Sequence, residues 1–181
     1  AFFPVSGYIG GSSCPVDLAM YPLPLFLAST SPRRRELLEQ VGLQFSVLKV
    51  DVDESVREGE RPADYVLRLA HEKARAGLAQ VTAGVVIAAD TTVVADDVVL
   101  GKPASEAEAV EMWLRLSGRT HQVLTGVAVG DGRHVDTVMV STRVHFRPIS
   151  REEMHAYWLT GEPHDKAGGY GIQGMAARFI T

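Results

Sequence analysis

The spacing of hydrophobic positions predicts alternating helices and strands along the chain. In residues 62–78 apolar side chains recur every three or four positions, which is typical of a helix with one buried face. Residues 85–89 form an unbroken apolar run, which is typical of a buried strand. The two patterns predict strands at 23–28, 45–52, 85–89, 121–129, 134–146 and 177–180, a hairpin at 91–100, and helices at 32–41, 62–78, 105–118 and 150–161. Because helices and strands interleave, the sequence predicts an α/β fold with a mixed sheet.

Two of the predicted helices begin with a paired capping signal. Ser105 is followed three residues later by Glu108, and Ser150 by Glu153. At this spacing the serine hydroxyl and the glutamate carboxylate each accept a hydrogen bond from the backbone N–H of the other residue. The sequence therefore predicts reciprocal capping in the first turn of both helices.

Composition is that of an ordinary globular protein of one domain. The chain has 181 residues, of which 46% are hydrophobic and 22% charged, and a chain of this size can bury a core without disulfides or metal. The net charge of −4 argues against non-specific binding to nucleic acid or to an anionic membrane. No window of about 18 apolar residues occurs, so we expect no membrane span.

The cysteine content and the first residues bear on compartment and boundaries. Cys14 is the only cysteine, so the chain can form neither an intramolecular disulfide nor a cysteine-rich zinc site. This favours a reducing compartment, and we expect a cytoplasmic protein. Residues 1–19 contain no Lys or Arg, unlike the start of a secretory signal, and are predicted to be a weakly structured extension. The domain is then expected to span residues 20–181, with Met20 as its natural start.

Three consecutive arginines open the first predicted helix. The positive charges of Arg33, Arg34 and Arg35 oppose the helix dipole. A bound anion would reverse that penalty, because the free N–H groups of a first turn also bind anions. The hydroxyls of residues 29–31 add further donors. One interpretation is a phosphate site between the first strand and the first helix, and the other is a solvated basic patch.

Lys73 and Asp90 are charged residues at positions where burial is expected. Lys73 lies beside the apolar stripe of its helix, so it either has an anionic partner or extends its ammonium to solvent. Asp90 follows the apolar run 85–89, and ligands of α/β sheets gather at such strand ends. It is a candidate general base or metal ligand, or else a turn or capping residue. Thr91 can hydrogen-bond a ligand or face the sheet.

The segment 165–174 is rich in glycine, which allows a backbone to approach a ligand closely. Within it, the amide of Gln173 can both donate and accept at the edge of a nucleobase. Lys102 lies in a Gly-Lys-Pro sequence that lacks the spacing of a P-loop. These features also fit turn glycines and surface residues. The histidines lack metal-ligand spacing and are expected to be structural or surface residues.

Taken in order, these segments resemble the Maf family of nucleoside triphosphate pyrophosphatases. The resemblance covers about residues 25–180 and rests on residues 27–38, 53–55, 65–74, 89–91, 100–103, 116–121 and 165–174. Arg33, Thr91 and Gln173 are similar to the branch that cleaves dTTP and UTP. The family segment that usually follows Phe179 and Ile180 is not found in this sequence.

The resemblance implies an elongated, two-lobed α/β fold of the Maf and inosine-triphosphatase kind, with a mixed, twisted sheet and a central cleft. It also implies hydrolysis of a nucleoside triphosphate to the monophosphate and pyrophosphate. This activity would clear non-standard nucleotides, and the family is linked to septum formation. A divalent cation, Mg²⁺ or Mn²⁺, is the implied cofactor.

The resemblance also assigns roles to eight residues. Asp90 and Glu54 are expected to hold the metal ion, and Asp90 also to accept a proton from the attacking water. Phosphates are expected to contact Ser29, Arg33, Lys73 and Lys102. Arg33, Thr91 and Gln173 are expected to select the base.

Other functions remain open at this stage. The substrate can instead be 7-methyl-GTP or a purine triphosphate. A nucleotide-binding regulator of cell division without turnover is an alternative from another class. Stable nucleic-acid binding through the arginines is not expected, because the chain is acidic and lacks a basic face with interleaved aromatic residues. A homodimer is left open.

Overall fold

The computed structural model describes residues 23–181. The extension predicted at residues 1–19, together with Cys14 and Met20, lies outside this range. The helices are α1 (Pro32–Gln40), α2 (Pro62–Leu78), α3 (Glu106–Leu116) and α4 (Arg151–Trp158). The strands are β1 (Leu25–Leu27), β2 (Ser46–Val47), β3 (Val85–Ala95), β4 (Val98–Leu100), β5 (Thr120–Gly130) and β6 (Val135–His145). Three short 3₁₀ turns follow, at Glu162–Asp165, Ala167–Gly169 and Met175–Phe179.

The six strands form one mixed sheet. Its order is β2-β1-β3-β5-β6, and β4 pairs with β3. The pairs β1–β2 and β1–β3 are parallel, whereas β3–β4, β3–β5 and β5–β6 are antiparallel. The prediction of an α/β fold with a mixed sheet is therefore confirmed.

One edge of β3 is interrupted. β5 pairs with β3 along one edge from Val86 to Val94. On the other edge β1 pairs with Val85–Ile87 and β4 with Val93–Ala95. Residues 88–92 have no strand partner on that edge within the part of the chain that the structure describes. The gap lies where β1 turns away towards α1, and such a break in strand order is where α/β proteins bind ligands.

Helices pack against the sheet through two main buried clusters, and a smaller third cluster lies around Val66, Val94 and Leu124. The larger cluster packs α3, α4 and the last turns against one end of the sheet, around Trp113, Phe146 and Phe179. The other packs small side chains of α2, such as Ala70 and Ala74, against the strands. A Cβ on Gly126 of β5 would lie 2.6 Å from a backbone oxygen of α2, so helix and sheet approach closely. This approach brings side chains of α2 to the interrupted edge of β3.

Three predicted strand boundaries are wrong. The strand at 45–52 is only Ser46–Val47, because its partner β1 ends at Leu27 and offers no further backbone groups. The strand at 85–89 does not stop at the polar residues but continues to Ala95, because β5 pairs along it. The segment 177–180 is mostly a 3₁₀ turn, and only Ile180 forms a bridge, with Phe146.

The capping predictions are confirmed in one helix and half confirmed in the other. At α4, Ser150 and Glu153 form the full reciprocal box. At α3, the Ser105 hydroxyl accepts from the N–H of Glu108 as predicted. The Glu108 carboxylate instead accepts from the N–H of Ala104, 2.8 Å away. The second hydrogen bond of the motif is therefore donated by the residue before Ser105 and not by Ser105 itself.

Gly168 connects the glycine-rich segment to β3, and Gly168→Ala is expected to destabilise the fold. Its φ is +66°, and an added Cβ would lie 2.9 Å from side-chain atoms of Val93. The left-handed backbone and the overlap together should lower the free energy of unfolding by about 2–4 kcal/mol. Urea unfolding measures the change. Gly59→Ala is a matched control, since its φ is +70° but nothing lies within 4 Å. Equal losses in both variants would mean that the contact with Val93 contributes nothing.

Candidate active site

The gap in the edge of β3 contains a lysine shared by two carboxylates. Lys73 of α2 places its Nζ 2.7 Å from Oδ1 of Asp90 and 2.6 Å from Oε1 of Glu54. The side chains of Lys73 and Asp90 are 13% and 11% exposed, whereas that of Glu54 is 47% exposed. Lys73 therefore has the anionic partner that its position beside the apolar stripe suggested. Asp90 lies within β3, paired with Gly126, and neither ends the strand nor caps a helix.

Glu54 is held in place by contacts between its loop and α2. The hydroxyl of Tyr65 donates to the backbone carbonyl of Glu54 at 3.0 Å. Arg68 donates to the carbonyl of Ser55 at 2.9 Å and pairs with Glu60 at 2.5 Å. The hydrogen bond from Arg68 lowers the pKa of Glu60 to about 2. The loop is thus tied to the helix that carries Lys73.

The charges around Glu54 favour its ionised form. Partial burial alone would raise the pKa of Glu54. The hydrogen bond and charge of Lys73, with the charges of Lys102 and Arg34, outweigh burial and hold this pKa below its usual value. The carboxylate therefore stays charged at neutral pH and available as an oxygen ligand.

Arg34 is the arginine of α1 that reaches this cluster. Its guanidinium donates to the Ser29 hydroxyl at 3.2 Å and to Thr91 Oγ1 at 3.4 Å. Burial lowers the pKa of Arg34, although the charges of Asp90 and Glu54 oppose the shift. Arg34 thus spans from the end of β1 to β3. Sequence reasoning did not select it within the arginine run.

Arg33, which the resemblance selected, points elsewhere in the described structure. It is exposed, and its Nη1 lies 3.5 Å from Oε2 of Glu36 one turn along α1. Its contact with substrate stays a prediction. Arg33 and Arg34 precede Leu37 and Leu38 by one turn, so the apolar pattern alone could not decide which arginine faces the sheet. Leu38 is the more buried leucine of the two, on the side of Arg34.

Lys102 lies at the margin of the cluster, whereas Gln173 makes no contact with it in the described structure. Lys102 Nζ lies 4.0 Å from Oε2 of Glu54, and its side chain is 60% exposed. Gln173 is exposed in the Gly171–Gly174 turn, and its side chain forms no hydrogen bond with any described residue. The structure thus places Lys102 near Glu54 and shows no contact of Gln173 with either carboxylate. Thr91 bonds to Thr125 Oγ1 at 3.2 Å, a contact that the sequence did not indicate.

The donor set at the gap fits a hard divalent cation. Asp90 and Glu54 offer carboxylate oxygens on either side of Lys73. Within residues 23–181 no group of three His, Cys, Asp or Glu side chains could hold a metal by itself. Mg²⁺ commonly uses one or two carboxylates and takes its other ligands from water and substrate phosphates. The residues therefore fit a cation that arrives with a phosphate ligand.

A separate cavity of about 240 Å³ at the far end of β3 lacks this chemistry. Its Arg119 already pairs with Asp96 at 2.6 Å. His121, which also lines it, is buried in the larger core and bonds through Nε2 to Tyr170 at 2.6 Å. Burial lowers the pKa of His121 to about 4, so this histidine is neutral and structural at neutral pH.

Cationic side chains beside two carboxylates are what a polyphosphate with its metal ion requires. Fold and site together therefore define an α/β protein of the phosphate-binding class. Residues 24–181 match the family described as "Maf-like protein", and the chain belongs to the Maf family.

Within residues 23–181, the helices are too short or too polar for a membrane span.

Relatives with assigned names extend over most of the chain. The dTTP/UTP pyrophosphatase of Pseudoalteromonas translucida is 51% identical over 158 residues, which cover 87% of this chain and 84% of that protein. The dTTP/UTP pyrophosphatase of Vibrio cholerae is 53% identical with the same coverage. A solved nucleoside-triphosphatase / dITP/XTP pyrophosphatase from Mycobacterium abscessus covers 70% of this chain and 76% of its own, with 15% identity and a TM-score of 0.46.

Proposed function

We propose that this protein hydrolyses nucleoside triphosphates, preferring dTTP and UTP, to the monophosphate and pyrophosphate. The observation that carries the proposal is Lys73, held between Asp90 and Glu54 at the interrupted edge of β3. Relatives about half identical to the chain bear the name dTTP/UTP pyrophosphatase. The proposed role is the removal of non-standard nucleotides in the cytoplasm.

In the proposed reaction Asp90 accepts a proton from the water that attacks phosphorus. Its hydrogen bond from Lys73 fixes one carboxylate oxygen and leaves the other for this task. Arg34, Lys73 and Lys102 neutralise charge on the phosphates, and neutralisation with positioning is the main part of phosphoryl-transfer catalysis. The Ser29 hydroxyl, which already accepts from Arg34, would contact the same phosphates.

Asp90 and Glu54 are the residues that would hold Mg²⁺ or Mn²⁺. The ion would bring the phosphates to these carboxylates and reduce their mutual repulsion. Because Lys73 lies between both carboxylates in the described structure, its ammonium offsets one of their two negative charges whenever the ion is absent. A titration with EDTA should abolish turnover, and added Mn²⁺ or Mg²⁺ should restore it.

A nucleotide panel tests the function. The protein is incubated with dTTP, UTP, GTP, 7-methyl-GTP and ITP, with Mg²⁺ or Mn²⁺, and phosphate is measured with and without added pyrophosphatase. We expect pyrophosphate as the direct product and the highest kcat/KM for dTTP and UTP. A preference for 7-methyl-GTP or ITP would move the chain to the alternative substrates. Tight nucleotide binding without turnover would instead favour the regulator of cell division.

Substitutions of Arg34 and Arg33 test which of the two arginines acts on the phosphates. Arg34→Gln is expected to lower kcat/KM for every nucleotide by about tenfold to 100-fold, because a half-buried cation at the proposed phosphate site is lost. Arg33→Gln changes the same charge on the exposed side of α1. If Arg33 makes no base contact, this variant should keep kcat/KM for each nucleotide within about threefold of the parent. If the predicted base contact exists, kcat/KM should fall for the preferred nucleotides only. A larger loss in Arg33→Gln than in Arg34→Gln would contradict the placement of the phosphates beside Arg34.

A further inference from the structure

The turn that carries Gln173 is built around the carboxylate of Glu162. Oε2 of Glu162 accepts from the N–H of Met175 at 2.8 Å. Its Oε1 accepts from the Tyr157 hydroxyl at 2.6 Å and from the N–H of Ala176 at 3.4 Å. Tyr157 is 1% exposed, so one of these donors belongs to the core. The carboxylate thus joins the turn to α4.

Glycines bring the backbone of the turn against this carboxylate. An added Cβ on Gly174 would lie 2.4 Å from Oε2 of Glu162, and one on Gly171 would lie 3.3 Å from Oε1. The N–H of Gly174 donates to the carbonyl of Gly171 at 2.9 Å and closes the turn. Ile172 and Gln173 therefore lie at the tip of a turn that follows a bond from the Gly171 N–H to the Tyr157 hydroxyl at 3.3 Å and precedes the two N–H groups bonded to Glu162.

The hydrogen bonds to Glu162 favour its ionised form. Burial alone would raise the pKa of Glu162, but the bonds from Tyr157, Met175 and Ala176 and the charge of Lys166 outweigh burial and lower it. A carboxylate accepts hydrogen bonds at both oxygens. An amide accepts at one oxygen only, and its NH₂ group would face one of the N–H or O–H donors. Glutamine at this position would therefore disturb the turn although its shape is nearly the same.

We propose that Glu162 is a positioning residue that sets the orientation of the Gly171–Gly174 turn, and through Gln173 the discrimination between pyrimidine and purine triphosphates. The proposal rests on the proposed function and deepens it. Glu162 belongs to a different element from the phosphate cluster, so its loss should change the choice of base more than the chemical step. A merely structural residue would lower activity on all nucleotides equally.

The test compares Glu162→Gln with the parent, with Gln173→Ala as a reference and with Glu111→Gln as a matched control on the exposed surface of α3. The readout is the ratio of kcat/KM for dTTP to that for dGTP. We expect the ratio to fall at least fivefold in Glu162→Gln and in Gln173→Ala, to change no further in the double variant, and to stay at the parent value in Glu111→Gln. Tyr157→Phe, which removes one donor to Glu162, should lower the ratio less.

Melting temperatures ensure that each variant is assayed folded. If Glu162→Gln kept the parent ratio, lowered both rates equally, or added its effect to that of Gln173→Ala, the proposal would be overturned. An unchanged ratio in Gln173→Ala would overturn it as well. The ratio of Kd values for non-hydrolysable dTTP and dGTP analogues is measured in parallel. A parent without turnover would then count against the proposed function, while the Kd ratio would still decide the role of Glu162.

Discussion

Asp90→Asn is expected to lower kcat for dTTP by at least about 100-fold while the fold is retained. The amide keeps the shape of the side chain but cannot accept a proton from water and is a weak ligand for a hard cation. Because Asp90 lies mid-strand and pairs through its backbone with β5, the substitution leaves the sheet intact. Steady-state kinetics with saturating Mn²⁺ or Mg²⁺ measures the change, and circular dichroism checks the fold.

Asp136→Asn is the matched control for this prediction. It makes the same chemical change on β6, where the side chain is 83% exposed and, among residues 23–181, pairs with His134 alone. Its kcat should equal that of the parent. If Asp90→Asn kept activity within about tenfold of the parent, Asp90 would be neither the base nor a required ligand.

Lys73→Met is expected to lower kcat/KM by about 100-fold or more and also to destabilise the protein. The methionine fills the space beside the apolar stripe but removes the cation that faces both Asp90 and Glu54. A lost donor at a developing phosphate charge has about this effect on catalysis. Losing hydrogen bonds to charged groups should lower the free energy of unfolding by about 1–3 kcal/mol. Lys49→Met, on the exposed surface after β2, should change neither quantity.

The stability loss in Lys73→Met should depend on pH. In the parent the pKa of Glu54 is lowered in the folded state, with Lys73 the main cause of the lowering. A lowered carboxyl pKa stabilises the fold above the ordinary pKa, and this contribution is lost as the pH falls. The gap in unfolding free energy between parent and variant should therefore stay constant from about pH 7 to about pH 5, and should narrow as the pH is lowered further, below the ordinary carboxyl pKa of 4.5. A gap that widens over this range would show that Lys73 does not stabilise ionised carboxylates.

The pairing of Lys73 with an anion could be anticipated from the sequence, whereas the geometry of the loops could not. A lysine beside an apolar stripe and an aspartate after an apolar run are each expected near a buried face, and a helix against a sheet brings such residues together. Glu54 is different, because its position depends on the contacts of Tyr65 and Arg68 with its loop. The helical pattern does not predict those contacts, because Tyr65 belongs to the buried face and only its hydroxyl reaches the loop, while Arg68 is an ordinary polar position.

The sequence pattern could not predict which of two neighbouring arginines reaches the site. Arg33 and Arg34 differ by one position, and each precedes a leucine by one turn. Only the tertiary packing of α1 selects Arg34 for the cluster. Glu162 gave no signal of its own, because two of its partners are backbone N–H groups of a turn 13 and 14 residues further on and the third is the hydroxyl of Tyr157. The predicted hairpin at 91–100 is confirmed as the end of β3 with β4. Its continuity with the strand at 85–89 was missed, since a polar Asp-Thr-Thr stretch resembles a strand end unless the partner β5 is known.

Because one edge of β3 is interrupted, this central strand has backbone amides that pair with a neighbouring strand and others that face the gap. Val85 and Ile87 direct their backbone groups towards β1. Because these groups alternate along a strand, Ala89 and Thr91 direct theirs into the gap, while the residues between them face β5. Amides without a ladder partner exchange readily with solvent deuterium. We therefore expect rapid exchange of the amide protons of Ala89 and Thr91, in the middle of the sheet. Exchange at these two positions should slow when a triphosphate fills the gap. Deuterium uptake would then report nucleotide binding even in a variant that cannot turn over.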